Sequence, residues 1–351
     1  MEIDQDKLME FLHKFVSDLG ATMAAGNVVV GERLGLYRAL AGQPMLPHEL
    51  AERTSTATRY VDEWLRGQAA GGYVEYDPQT GAYSLTPEQA FALTDPDGAV
   101  YAPGAFELAL GTLRSERKVT DAFRSGTGVG WHEHDDGVFS GCERFFRPGY
   151  AANLVTSWLP ALDDAEAKLR AGARVADIGC GHGASTTLMA GAYPSSSFTG
   201  SDYHEESVIQ ARKRAADAGL DGRVTFDVAS AQTFDGGPYD LVTSFDCLHD
   251  MGDPLGAARH IREMLAPDGT WMVVEPYAGH NVSDNLNPIG RVYYSFSTFL
   301  CVTNALSQDG GYSLGAQAGE EPIRRLATDA GYTRFRRVAE TPFNIVYEAR
   351  P

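Results

Sequence analysis

The run Arg174 to Met189, RVADIGCGHGASTTLM, constrains this chain more than any other stretch. Val175, Ala176 and Ile178 form an apolar run that ends in Gly179, Gly181 and Gly183, and an amphipathic segment follows. That order predicts a strand, a tight turn and the start of a helix. Glycine lets the backbone take positive φ and come close to a ligand, and a helix start offers N–H groups to polar ligand atoms. The turn is therefore a candidate cofactor site. Two nucleotide-binding patterns compete for it, and the spacing D-x-G-x-G-x-G, with Asp177 two residues before Gly179, departs from the G-x-G-x-x-G of dinucleotide sites.

From Ala173 onward the chain alternates strands and helices. Strands are expected at Val175 to Gly179, Ser197 to Asp202, Val224 to Val228, Tyr239 to Phe245 and Thr270 to Glu275. Such alternation predicts an α/β, doubly wound parallel sheet covered on both faces, with the strand carboxyl ends on one edge. Two closing strands, YTRFRRVAE and FNIVYEA, are separated so briefly that they must form a hairpin, which makes the last strand antiparallel to its neighbour. Asp202 ends the second strand where a carboxylate binds ribose hydroxyls in such sheets, and Tyr203 beside it is placed to lie against adenine. Residues 277–320 form an insertion at the same edge, long enough to be read as a lid.

The formal net charge is −18. So acidic a chain is a poor candidate for nucleic-acid or anionic-membrane binding. No run approaches 18 apolar residues, and the start is acidic without a signal-like apolar core, so a cytoplasmic protein is expected. The four cysteines show no paired spacing, and no metal is expected.

Residues 1–95 read as a helical and winged-helix domain. A helix from Glu2 closed by Gly26 and a second in NVVVGERLGLYRALAG precede two short helices and a hairpin around Pro-Gln-Thr-Gly. A winged helix raises the possibility of DNA binding. Yet the domain carries seven Lys and Arg against fourteen Asp and Glu, and the would-be recognition helix presents Arg59, Asp62, Glu63 and Arg66. Packing and homodimer formation are expected instead. Residues 96–170 read as a helical linker and pocket roof, interrupted by a polar loop with His132, Glu133, His134, Asp135 and Asp136. That loop has metal-ligand types but no common focus. Trp131, Phe145, Phe146, Tyr150, Tyr293, Tyr294 and Phe296 are candidate walls of an apolar acceptor pocket.

The segments GLYRALAG, YVDEWLRGQAAGGYVEYD, ERFFRPGY, VADIGCGHGAST, FDCLHDMGDP, SLGAQAGE and TPFNIVYEARP together resemble a bacterial family of winged-helix class I S-adenosylmethionine-dependent methyltransferases, similar to small-molecule O-methyltransferases. The resemblance implies a Rossmann-like domain over 171–351 with S-adenosylmethionine as cofactor. Asp177 and the backbone of Gly179, Gly181 and Gly183 would hold its amino-acid end. Ser230, Ala231 and Gln232 would meet the adenine, with Ser230 standing where the family often has an acid, and Phe245 would join the cofactor pocket. His249, in Leu248-His249-Asp250, matches the family's base. An imidazole suits that role because it is largely neutral near pH 7. Asp246 and Glu275 sit at strand exits, where each can orient His249 or a substrate. The leading expectation is O-methylation of a small, apolar or aromatic acceptor. N- or C-methylation, a non-methylating use of the cofactor, and a winged-helix DNA-binding regulator are the alternatives.

Overall fold

The computed structural model describes residues 3–220 and 222–351. The chain divides into two compact units, Met1–Leu110 with Ser140–Pro148, and Gly111–Phe139 with Gly149–Pro351. The linker expected at 96–170 is thus shared between them.

In the first unit a single helix runs Gln5–Arg33, with the Asp4 side chain accepting from the backbone of Asp6 and Lys7. The stop expected at Gly26 does not occur. Glycine inside a helix costs only about 1 kcal/mol relative to Ala and does not by itself end it. The break comes at Gly35, which takes φ +69° and starts the short helix Leu36–Leu40. Helices Pro47–Arg53 and Thr58–Ala70 follow, then the hairpin β1 (Glu75–Tyr76) and β2 (Tyr83–Ser84), and the helix Pro87–Thr94. Tyr37, Leu40, Leu50 and Leu65 centre the core of this unit. Arg59 is paired with Glu63 and Arg66 with Asp62, so the cations of the would-be recognition helix are spent on its own carboxylates. The amino-terminal half of the first helix is different in kind. Phe11, Leu12, Phe15, Leu19 and Met23 follow helical spacing and are all exposed.

The second unit holds a seven-stranded sheet of β3 (Arg174–Ile178), β4 (Ser197–Asp202), β5 (Val224–Val228), β6 (Tyr239–Phe245), β7 (Leu265–Pro276), β8 (Arg334–Glu340) and β9 (Asn344–Arg350), in the order β5-β4-β3-β6-β7-β9-β8. The first five positions are parallel, and β9 is antiparallel to both β7 and β8. β7 begins five residues before the expected Thr270. Tyr239 pairs with Leu265, then the register slips so that Leu241 pairs with Thr270, and Ala-Pro-Asp-Gly at 266–269 is taken up in the irregularity. Val242, Ile261, Trp271, Val273 and Ile345 are sealed in the sheet core. The order of the strands changes sense between the parallel neighbours β3 and β6, which opens a crevice at their carboxyl ends, the ordinary ligand position in such sheets. The 277–320 insertion is ordered mainly as helices Pro288–Phe299 and Cys301–Leu306. Among the described residues no helix is long and apolar enough to cross a membrane.

Candidate active site

The glycine turn lies at the end of β3. Gly179 has φ +72° and Gly181 φ +51°, and a β-carbon on Gly179 would stand 2.7 Å from Cys247 Sγ. A β-carbon on Gly181 would meet nothing within 4 Å, so the turn faces open space at the crevice. Gly183, φ +72°, precedes the helix Ala184–Ala192. Asp177 lies in register with Thr243 on β6, and its carboxylate accepts from Ser185 Oγ (2.6 Å), Thr186 Oγ1 (2.6 Å) and Thr243 Oγ1 (2.9 Å). Burial raises its pKa and the three hydroxyls oppose that rise. Asp177 therefore braces the turn against the helix start and the neighbouring strand, rather than presenting a free carboxylate. Asp202, ending β4, accepts from the N–H of Gly181 and of His204, each at 2.9 Å. Burial raises its pKa too, again opposed by those N–H groups. Tyr203 is exposed, with its hydroxyl directed to Asn304 Oδ1. After β5, Ser230 Oγ is hydrogen-bonded to Thr233, and Gln232 donates to the carbonyl of Asp253.

Across the crevice, His249 is buried in a single turn after β6. Its Nδ1 lies 2.6 Å from Oε2 of Glu275, which comes from β7, and its Nε2 lies 3.1 Å from Oδ1 of Asp250. The other oxygen of Glu275 accepts the Leu248 N–H. Burial pulls the imidazole pKa down, but Glu275 and Asp250 outweigh it and hold the ring well above its ordinary value. Asp246 sits one residue beyond β6 at φ +48°, a left-handed conformation that is strained for a residue with a side chain. It accepts from Tyr150 Oη at 2.7 Å and Asn344 Nδ2 at 2.8 Å. Burial pushes its carboxyl up to about 8 despite the Tyr150 hydrogen bond. Phe245 is buried with its ring 5.1 Å from that of Tyr150.

The insertion closes on this cluster. Asn304 and Gln308 donate to the Asp250 carbonyl, and the Gly315 N–H donates to that of His249. Tyr293 is buried, donates to the Phe343 carbonyl, and has its phenol pKa raised by burial and by the nearby Asp246. Tyr294 is exposed on the same helix and Phe296 is half-buried. Trp131 packs its ring edge-on against Phe139, and its backbone N–H donates to Asn304 Oδ1. Phe145 and Phe146 belong to the first unit, where their rings meet edge to face. The side chains of the polar loop bond to separate partners. His134 Nδ1 is paired with Ser115 Oγ, Glu133 accepts from Gly130 N–H, and Asp135 bonds Gly137 N–H and Arg114. Asn304, Asn344, Asp250 and Cys301 belong to the cluster without having been singled out in the sequence. Only Asp250 carried a local signal, as the residue following His249.

The chain matches the family described as "Methyltransferase domain" over residues 169–318 and the "Rv2258c-like winged HTH domain" over residues 22–95. It is 30% identical over 276 residues to O-methyltransferase SfmM3 of Streptomyces lavendulae, covering 75% of this chain and 79% of that protein. It spans 38% and 37% of the lengths of two further curated methyltransferases that it matches. Among solved structures it resembles a putative O-methyltransferase from Nostoc punctiforme PCC 73102, with a TM-score of 0.72, 20% identity, and 97% and 98% of the two chains covered. Human N-acetylserotonin methyltransferase in complex with S-adenosylmethionine gives a TM-score of 0.70 at 18% identity, covering 100% of this chain and 99% of that one. At such identities the structural likeness is one of fold. The chain belongs to the class I S-adenosylmethionine-dependent methyltransferases that carry an amino-terminal winged helix. S-adenosylmethionine is the cofactor of that class. The residues present fit that group, since the open face of Gly181 admits close approach and Asp202 stands beside it with a carboxylate for ribose hydroxyls.

Proposed function

We propose that this protein methylates a hydroxyl oxygen of a small apolar or aromatic acceptor, with His249 as general base. The observation that carries the reading is the buried 2.6 Å contact between His249 Nδ1 and Glu275 at the strand-end edge. It fixes the ring and its tautomer, leaving Nε2 as the atom that takes the proton. S-adenosylmethionine supplies an activated methyl group on a sulfonium centre. Asp202 binds the ribose hydroxyls, Tyr203 lies along the adenine, and Ser230, Ala231 and Gln232 border it, with Phe245 at the floor. Asp177 acts through the turn it braces.

On the acceptor side Asp250 occupies the Nε2 face of His249, so an acceptor hydroxyl takes its place there. Glu275 stabilises the imidazolium formed as the proton arrives. Asp246, with Tyr150 and Asn344, orients the polar end of the acceptor, while Trp131, Tyr293 and Tyr294 supply apolar wall. Catalysis then rests on alignment in a dry site together with proton acceptance.

The exposed stripe from Phe11 to Met23 supports a homodimer formed through the first helix, because contiguous apolar faces of this length are seldom left in water. Light scattering of the native chain and of Phe15→Glu tests it, with a dimer expected for the first and a monomer for the second.

The activity is tested with methyl-labelled S-adenosylmethionine and a panel of hydroxyaromatic, amine and carbon-acid acceptors. Label in a base-stable ether of the hydroxyl acceptors is the expected result. Label only in amine or carbon products contradicts the assignment.

A further inference from the structure

His249, Asp250 and Cys301 converge more closely than proton transfer requires. One donor atom from each lies within 4.8 Å of those of the other two, and His249 Nε2 is already 3.1 Å from Asp250 Oδ1. His249 and Cys301 are buried, and Asp250 Oδ1 is sealed from solvent beside His249 Nε2. The other ring nitrogen of His249 is held by Glu275, so Nε2 faces the cluster. A carboxylate behind the distal nitrogen is how proteins orient histidines that ligate metals. Asn304 and Gln308 donate to the Asp250 carbonyl, which ties Asp250 to the helix segment bearing Cys301.

Zinc holds N, O and S ligands at about 2.0–2.3 Å, which places ligand atoms about 3.3–3.8 Å from one another in a tetrahedron. The His249–Asp250 pair is already at that scale, and Cys301 reaches it by moving about 1 Å. Imidazole, carboxylate and thiolate form a donor set for a thiophilic ion, whereas magnesium and calcium prefer all-oxygen sites.

We propose that His249, Asp250 and Cys301 form a binding site for a zinc-class divalent ion, and that the ion inhibits methyl transfer by occupying Nε2. Metal–nitrogen, metal–oxygen and metal–sulfur bonds form as the hydrated ion sheds waters. The thiol proton, and the Nε2 proton when the ring is charged, pass to buffer, and one retained water completes four-coordination. No electrons are exchanged. The inhibition rests on His249 being the base, while the binding does not.

The test uses the full chain, freed of metal by chelation and titrated with cadmium as a spectroscopic stand-in for zinc. A thiolate-to-cadmium ultraviolet band saturating at about one ion per chain is expected. Cys301→Ser should lose that band and bind zinc at least about ten-fold more weakly in competition with a chromogenic chelator. Circular dichroism and S-adenosylmethionine binding report whether the variant is folded. Asp250→Asn, which keeps the thiol, should keep the band but weaken zinc binding, so the site stays testable if the serine variant misfolds. With an acceptor in hand, zinc should suppress transfer by the native chain, and Cys301→Ser, whatever its own rate, should need at least about ten-fold more zinc for the same fractional suppression. No binding by the native chain, or an unchanged band in folded Cys301→Ser, overturns the site. Stoichiometric binding that leaves transfer untouched overturns the inhibition, and the base role of His249 with it.

Discussion

The two sides of the strand-end crevice are built on different principles. On the cofactor side, Asp177 and Asp202 are each satisfied by neutral donors, three hydroxyls for one and two backbone N–H groups for the other. On the acceptor side, Glu275, His249 and Asp250 face one another in a row, and Asp246 stands nearby in a strained backbone conformation. The first arrangement is a cradle held by short hydrogen bonds to two carboxylates. The second is a set of coupled charges whose protonation decides what it can do.

That contrast predicts that substitutions on the two sides separate rate from affinity. The largest effect is expected from His249→Gln, which keeps approximate size but cannot accept a proton near neutral pH. Turnover should fall by about 10²–10⁴-fold while S-adenosylmethionine affinity stays within a few-fold, as single-turnover assays and calorimetry would record. Asp202→Ala should do the reverse. It removes the proposed ribose acceptor and should weaken calorimetric binding by about 1–3 kcal/mol, leaving the pH dependence of the chemical step in place. Next in size is Asp250→Asn, which deletes one of the two charges holding the His249 pKa up and should move the acidic limb of the rate profile to lower pH. The smallest effect belongs to Tyr203→Phe. Its hydroxyl reaches Asn304 only at 3.4 Å, so cofactor affinity should change by about 0.5 kcal/mol or less. Equal losses of rate and affinity across all four variants would erase the distinction between the two sides.

The same contrast explains what could be read in the sequence. The cofactor side is local. Asp177 to Gly183 is one continuous strand and turn, and Asp202 ends the next strand, so spacing alone predicted their place at the strand ends. The parallel sheet, the antiparallel last strand and the winged helix were legible for the same reason, since each rests on periodicity or turn chemistry within a short stretch. The acceptor side is assembled from β6, β7, β9, the insertion and the helix bearing Tyr150, and no local pattern announces that Asn344 bonds Asp246 or that Cys301 approaches His249. Asp177 revealed too little on similar grounds, since a strand acid before a glycine turn gives no sign that Ser185, Thr186 and Thr243 all donate to it. Gly26 misled in the opposite way, because a helix ends where the backbone turns left-handed, as at Gly35, and not wherever a glycine occurs.

The proposed reaction depends most on His249 being a base whose pKa is held up by its carboxylate neighbours. The direct measurement is the pH dependence of single-turnover methyl transfer, from pH 5 to 10 on the experimental scale, with a hydroxyaromatic acceptor and saturating S-adenosylmethionine. Raised folded-state pKa means that the ring carries its proton below that value and is free to accept one above it. The predicted result is a rate that climbs with pH along a limb lying above about 6.5, the ordinary imidazole value, and a much slower His249→Gln without that limb. A native profile flat across the range, or an identical limb in the variant, would contradict it.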